Sequence, residues 1–253
     1  LQLYVTAINV SLSKKVAHEY QGHKNKQPRA NFMKTGRMNL ARKHKGFTLI
    51  EIAIVLVIIG LLLGGVLQGQ QLIENSRVKQ AVNSFNGLAA ATFSYQDRYA
   101  RLPGDDPGAK TRGAAWPPTA GPTASNGAID AALANTFTGG GETTYFFQNL
   151  RSAGFIAGDP NATGSEALPQ NPFGGLIGIT TDAVNGTLNG TKVCMSNVSG
   201  TAAIALDTEL DDALIQSGRF RGTTSPALNT VPATTAATTP YTEDGIYTVC
   251  YRM

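Results

Sequence analysis

The chain has 253 residues, 42% of them hydrophobic, and a formal charge of +4 from 21 Lys and Arg against 17 Asp and Glu. That balance would suggest an anionic partner such as nucleic acid, but it is local. Ten of the basic residues and only Glu19 among the acids precede Phe47, leaving eleven against 16 and a charge of −5 over residues 47–253. His18, His23 and His44 all lie in that leading stretch, so residues 47–253 offer no imidazole for a catalytic triad, a proton shuttle or a histidine metal site.

Residues 1–46 read as a basic leader, unlike a folded domain. Met33 and Met38 are internal alternatives as starts. From Met38 the leader would be Met38-Asn39-Leu40-Ala41-Arg42-Lys43-His44-Lys45-Gly46, with residues 1–32 as translated upstream sequence; the other reading is a long leader. Next comes Phe47 to Leu67, 21 residues with a single charge, Glu51. A helix of that length is roughly 31 Å long, which matches a bilayer's hydrocarbon core. The basic run Arg42-Lys43-His44-Lys45 just upstream keeps the amino terminus cytoplasmic and sends the rest outward. A secretory signal would place its cleavage site after the apolar run, whereas Gly46-Phe47 precedes it. A carboxylate inside such a run costs about 2.5–3.5 kcal/mol on insertion scales, so Glu51 is expected either to have a partner or to sit protonated.

Residues Lys45 to Gly60 closely resemble the cleavage and methylation signal of type IV prepilins and of the pseudopilins of type II secretion systems, and a general resemblance extends to Pro103. The resemblance implies cleavage between Gly46 and Phe47 by a membrane-embedded prepilin peptidase and N-methylation of Phe47. It implies that Glu51 pairs with the terminal amine of a neighbouring subunit during assembly. It also implies a single-pass inner-membrane precursor with a periplasmic head, an inner-membrane assembly platform, and a helical homopolymer, periplasmic or extracellular, joined by other minor pilins or pseudopilins. Such a subunit is structural and not an enzyme. The reading from a different class is a membrane-tethered binding protein, a minor pilin acting as an adhesin or as a DNA or sugar receptor, with the charge of −5 disfavouring DNA unless Arg219 and Arg221 form a local basic patch.

Gly60-x-x-x-Gly64 and Gly65-x-x-x-Gly69 lie on the second half of the apolar run. Such spacing lets helices approach closely in lipid, and it equally weakens a helix by up to about 1 kcal/mol per glycine. The helix is expected to continue to Ala100, with Val78, Val82, Phe85, Ala89 and Phe93 on one face, and to stop at Arg101-Leu102-Pro103-Gly104-Asp105-Asp106-Pro107-Gly108. Its first half serves the membrane; its second half, to residue 101, is a spine for the head at 102–253.

In the head, residues 107–141 read as a long irregular insertion, and Glu142–Leu150 as a short helix closing near Gly154. Strand candidates are Gly175–Thr181, Thr191–Val198, Arg219–Gly222 and Gly245–Arg252, with a capped helix at Leu206–Leu214 between them. A long helix packed on a small antiparallel sheet, hence α+β, is the economical fold. Cys194 and Cys250 each fall in a strand candidate, and on the oxidising side of the membrane a disulfide stapling a C-terminal loop is the first expectation. Some major pseudopilins hold calcium in a C-terminal loop. The acidic candidates here are Asp207, Glu209, Asp211 and Asp212, Glu243 and Asp244, and Asp105 and Asp106. None completes a calcium loop signature, and each serves equally as a helix cap or turn. No cofactor is expected. Thr223–Thr239 reads as a solvated loop and a candidate for glycosylation.

Overall fold

Helix α1 runs without interruption from Leu49 to Tyr99 in the computed structural model, which describes residues 47–253. The leader, the alternative starts and Gly46 lie outside the described residues. The chain divides into two units, Leu1–Ile52 and Ala53–Met253. The described part of the first is the opening turn of α1.

In the second unit, α1 changes character along its length. From Ala53 to Gln68 every residue is exposed, and α1 as a whole is long and apolar enough to cross a membrane. Among the described residues none covers that stretch, and so wide an apolar surface suits lipid or other helices. Burial begins at Val78 and follows Ala81, Phe85, Leu88, Ala91, Thr92 and Tyr95, the steps of three and four that keep one face inward. The expected row through Ala89 and Phe93 is corrected: Ala89 is half-buried and Phe93 is 62% exposed. Two successive steps of four carry a row about 80° around the helix, away from the sheet, whereas alternating threes and fours hold it in place.

The sheet comprises β1 (Ile177–Thr180), β2 (Lys192–Ser199), β3 (Phe220–Thr224) and β4 (Ile246–Arg252), in the order β1-β2-β4-β3 and antiparallel throughout. All four strand candidates are found within a residue or two of their expected bounds, giving the α+β, pilin-like layout. Register places Ile179, Val193, Tyr251 and Phe220 in one row and Ile177, Met195 and Val249 in the next row on the same face. This face packs on α1: the Phe85 ring meets Phe220 at 6.0 Å and Tyr251 at 5.7 Å between centroids. Side chains alternate along a strand, so the intervening row Gly178, Cys194, Cys250 and Arg221 points the other way.

The end of the stretch 107–141 lies on that second face, where Leu133 and Phe137 pack with Cys194 and Cys250, while Ile129 and Ala131 join the main core. The stretch is irregular, as expected, apart from single 3-10 turns at Ala109–Thr111 and Leu133–Asn135, yet it buries Ala120, Ile129, Ala131, Thr136 and Phe137. A Cβ on Gly178 would sit 1.8 Å from the Thr136 carbonyl oxygen, so only glycine lets the loop lie directly on β1. Helix α2 (Glu142–Ser152) buries Phe146, Phe147 and Leu150 in the main core. Helix α3 spans Gly200–Leu210, not Leu206–Leu214. Its N-cap is Ser199, the last residue of β2, whose hydroxyl accepts the Ala202 N–H at 3.3 Å, and the helix formers Ala202, Ala203, Ala205 and Leu206 follow. The strand runs into the helix with no connecting loop, so the aspartates downstream are at its end, not its start.

Cys194 and Cys250 are bonded to each other, 56 residues apart in sequence and 4.0 Å between Cα atoms. The bridge joins a facing register pair of the two central strands, and α3 and β3 lie in the loop it closes. It closes the expected C-terminal loop and at the same time clamps the two central strands together. Replacing both cysteines by serine is expected to cost about 4 kcal/mol through the entropy returned to the unfolded chain, read as a lower urea midpoint for the double variant.

Candidate functional site

The opening turn of α1 is built by four residues. Thr48 is its N-cap and Glu51 its third helical residue. The Thr48 N–H and hydroxyl donate to Glu51 Oε2 at 2.7 and 2.8 Å, and the Glu51 N–H donates to Thr48 Oγ1 at 3.3 Å. This reciprocal arrangement is a capping box, in which two donors that the helix leaves unpaired are satisfied at once. Among the described residues Oε1 accepts no hydrogen bond, and Phe47 beside the turn is 85% exposed. The site therefore presents a carboxyl group, with one oxygen unpartnered among the described residues, one turn from the terminus that cleavage after Gly46 would create. Thr48 was not among the expected site residues, although Thr48-Leu49-Ile50-Glu51 is legible as a Thr-x-x-Glu signature.

The anchor glycines behave as a group. A Cβ added at Gly60, Gly64, Gly65 or Gly69 would meet nothing within 4 Å, and α1 passes through all four unbroken. Among the described residues no packing requires glycine there, in contrast with Gly178.

The acidic candidates separate. Asp207, Asp211 and Asp212 come together, each offering a carboxylate oxygen within 4.8 Å of the others. Asp211 Oδ2 accepts the N–H groups of Arg219 and Phe220, Asp212 accepts the Leu214 N–H and the Ser217 hydroxyl, and Asp207 Oδ1 accepts the Ala213 N–H. Five protein donors are thus already in place, and a calcium shell of six to eight oxygens fits this donor set poorly. The three carboxylates knot the turn after α3 to β3. Glu209, Glu243 and Asp244 are exposed and outside the group.

Asp207 is fully buried, and neither its Oδ2 nor the hydroxyl of Tyr241 has a hydrogen-bond partner among the described residues. Burial pushes the Asp207 carboxyl up to about 6. A folded pKa above the unfolded one means that the folded state binds the proton more tightly. The stabilisation is full below the ordinary carboxylate range and is lost as pH rises through about 6. Urea midpoints of the wild type are expected to gain from this group on going from pH 7 to pH 5, and Asp207→Asn to flatten that gain.

Asp105 and Asp106 are buried and fully engaged by protein. Asp105 accepts the Ser125 hydroxyl at 2.7 Å and the N–H groups of Gly127 and Asn126 at 2.8 and 3.2 Å. Asp106 Oδ2 accepts the Tyr95 hydroxyl at 2.7 Å and the Arg112 guanidinium at 2.5 Å, while Oδ1 accepts the Gly108 N–H at 3.0 Å. Arg112 in turn lies over the Tyr99 ring, 4.3 Å from its centroid. The run expected to stop the helix, with Asp105 and Asp106 also among the calcium candidates, is a latch that ties the end of α1 to the stretch after it.

Residues 41–67 match the family model described as the prokaryotic N-terminal methylation motif. No curated protein and no solved structure matches the chain. The matched stretch contains the Gly46-Phe47 junction, the capping box of Thr48 and Glu51, and the exposed apolar turns of α1 through Leu67. The chain carries the prepilin-type signal of type IV pilins and pseudopilins.

Proposed function

We propose that the chain is a structural subunit of a type IV pilus or type II secretion pseudopilus filament, cut by prepilin peptidase after Gly46 and polymerised through α1. The observation that carries this reading is the overlap of the methylation motif with an exposed apolar segment that continues, in one helix, into the core of the head. Lipid covers that segment before assembly, and copies of itself cover it afterwards. A contact made between unlike surfaces and repeated along an axis produces an open filament rather than a ring. The open faces of Gly60, Gly64, Gly65 and Gly69 suit close approach of neighbouring anchors. The basic run before Phe47 orients the head outward, where the Cys194–Cys250 bridge is chemically at home. Its partners on this reading are other copies, prepilin peptidase, an inner-membrane assembly platform and other minor pilins or pseudopilins.

The amino terminus of the cell-derived protein, determined by mass spectrometry with and without prepilin peptidase, tests the proposal. The expected result is N-methyl-Phe47 only when the peptidase is present. A chain retaining Arg42–Gly46 in both cases would overturn it and leave a membrane-tethered binding protein as the better reading.

A further inference from the structure

The sequence contains four Asn-Gly pairs, at Asn86, Asn126, Asn185 and Asn189. In such a pair the absence of a side chain on glycine leaves its backbone nitrogen open to approach by the asparagine side chain. Three of the four are closed by the fold. Gly87 lies within α1, where its N–H belongs to the helical ladder. The Gly127 N–H donates to Asp105 Oδ2, and the Asn126 side chain is held by the Ala128 N–H and by Asp130. The Gly186 N–H donates to the Thr234 carbonyl, and Asn185 is buried with its amide donating to the Ile215 and Gly222 carbonyls.

Asn189 differs on every count. It and Gly190 are exposed, in the loop that leads into β2, and neither the Asn189 side chain nor the Gly190 N–H takes part in a hydrogen bond among the described residues. Two cations border the pair. Lys192 donates its ammonium to the Gly190 carbonyl, and the Arg252 side chain passes 3.7 Å from the point where a Gly190 Cβ would lie. The Lys192 ammonium on the Gly190 carbonyl favours an anionic nucleophile at this residue.

We propose that Asn189 is a site of spontaneous backbone-assisted deamidation. The Gly190 nitrogen, having lost its proton to solvent base, attacks Asn189 Cγ. A C–N bond forms, the side-chain amide leaves as ammonia, and a succinimide results. Water then opens either carbonyl of the ring, giving aspartate or isoaspartate. The only co-reactant is water, and nothing is oxidised or reduced. The product carries a new carboxylate, and the isoaspartate form adds a backbone atom just before a central strand. The proposal stands whether or not the chain polymerises.

The test is incubation of the purified full-length protein in detergent at mildly acidic and mildly alkaline pH, followed by peptide mass spectrometry. A gain of about one dalton is expected at Asn189, rising about tenfold per pH unit because the nucleophile is the deprotonated amide. At Asn86, Asn126 and Asn185 the gain is expected to be slower by about tenfold or more, because each N–H must first leave its hydrogen bond. In urea all four sites should react at similar rates, showing that the fold makes the selection. Asn189→Gln should remove the gain, since the longer side chain cyclises poorly. An unchanged Asn189, equal reaction at Asn126 or Asn185 in the folded protein, or a glycan on Asn189 through Asn189-Gly190-Thr191 would each overturn it.

Discussion

Glu51→Ala is expected to abolish filament formation while leaving cleavage between Gly46 and Phe47 intact. In the isolated chain the Glu51 carboxylate is held by Thr48 and keeps one oxygen without a partner. In a packed bundle of anchors, that oxygen can meet the terminal ammonium that cleavage exposes on the next subunit. Removing one member of a buried charge pair costs about 3–5 kcal/mol, because the other charge is left unpaired in lipid. That is between about a hundredfold and a few thousandfold per contact, and the contact recurs at every subunit. Alanine also deletes the capping box, worth about 1 kcal/mol, so Glu51→Gln provides the separation. Glutamine can keep the bonds from Thr48 but carries no charge. Sheared-filament yield should fall for both variants, with N-methyl-Phe47 still detected by mass spectrometry. Normal filaments from Glu51→Gln would show that the cap, not the charge, is what assembly requires.

Asp106→Ala is expected to be the most destabilising single change in the head. The carboxylate is 1% exposed and receives Tyr95 from α1 together with Arg112 and Gly108 from the loop. Its removal leaves a guanidinium and a buried hydroxyl without their acceptor, a loss of about 3–5 kcal/mol. For a domain whose whole stability is about 5–15 kcal/mol, this is a large fraction. Tyr95→Phe removes one donor and leaves the ion pair, so about 1–2 kcal/mol is expected. Urea unfolding of the two variants checks both the order and the spacing. A double-mutant cycle with Arg112→Met should show strong coupling to Asp106→Ala, because the two side chains share one network. An equal, small effect from Asp106→Ala and Tyr95→Phe would show that the latch contributes little.

Residues near each other in sequence carried most of what could be read in advance. The anchor was legible from 21 nearly uncharged residues, the opening turn from Thr48 and Glu51, and the four strands from short β-branched runs bounded by turns. These signals report the local backbone and its solvent, and a helix or strand that buries one face repeats its period in the sequence. The methylation motif is of the same kind, since a peptidase reads a contiguous segment.

Tertiary structure alone decided which faces those elements turn to one another. Phe93 points outward and Tyr95 inward because Asp106, Trp116 and Phe155 lie on one side of the end of α1, and helical period alone does not say which. The stretch 107–141 has no period at all, yet its Thr136 carbonyl rests on Gly178, 42 residues later, on the sheet's second face. Asp105 and Asp106 looked like turn residues and are buried acceptors, while Asp207 looked like a cap and is a buried acid without a full set of partners. Each of these depends on a donor or a wall brought from far along the chain. Thus the sequence by itself determined the anchor, the four strands and the processing signal, but not the bounds of α3. Only packing determined the latch, the covered sheet face, the pairing row of the disulfide and which of four identical Asn-Gly pairs is left open.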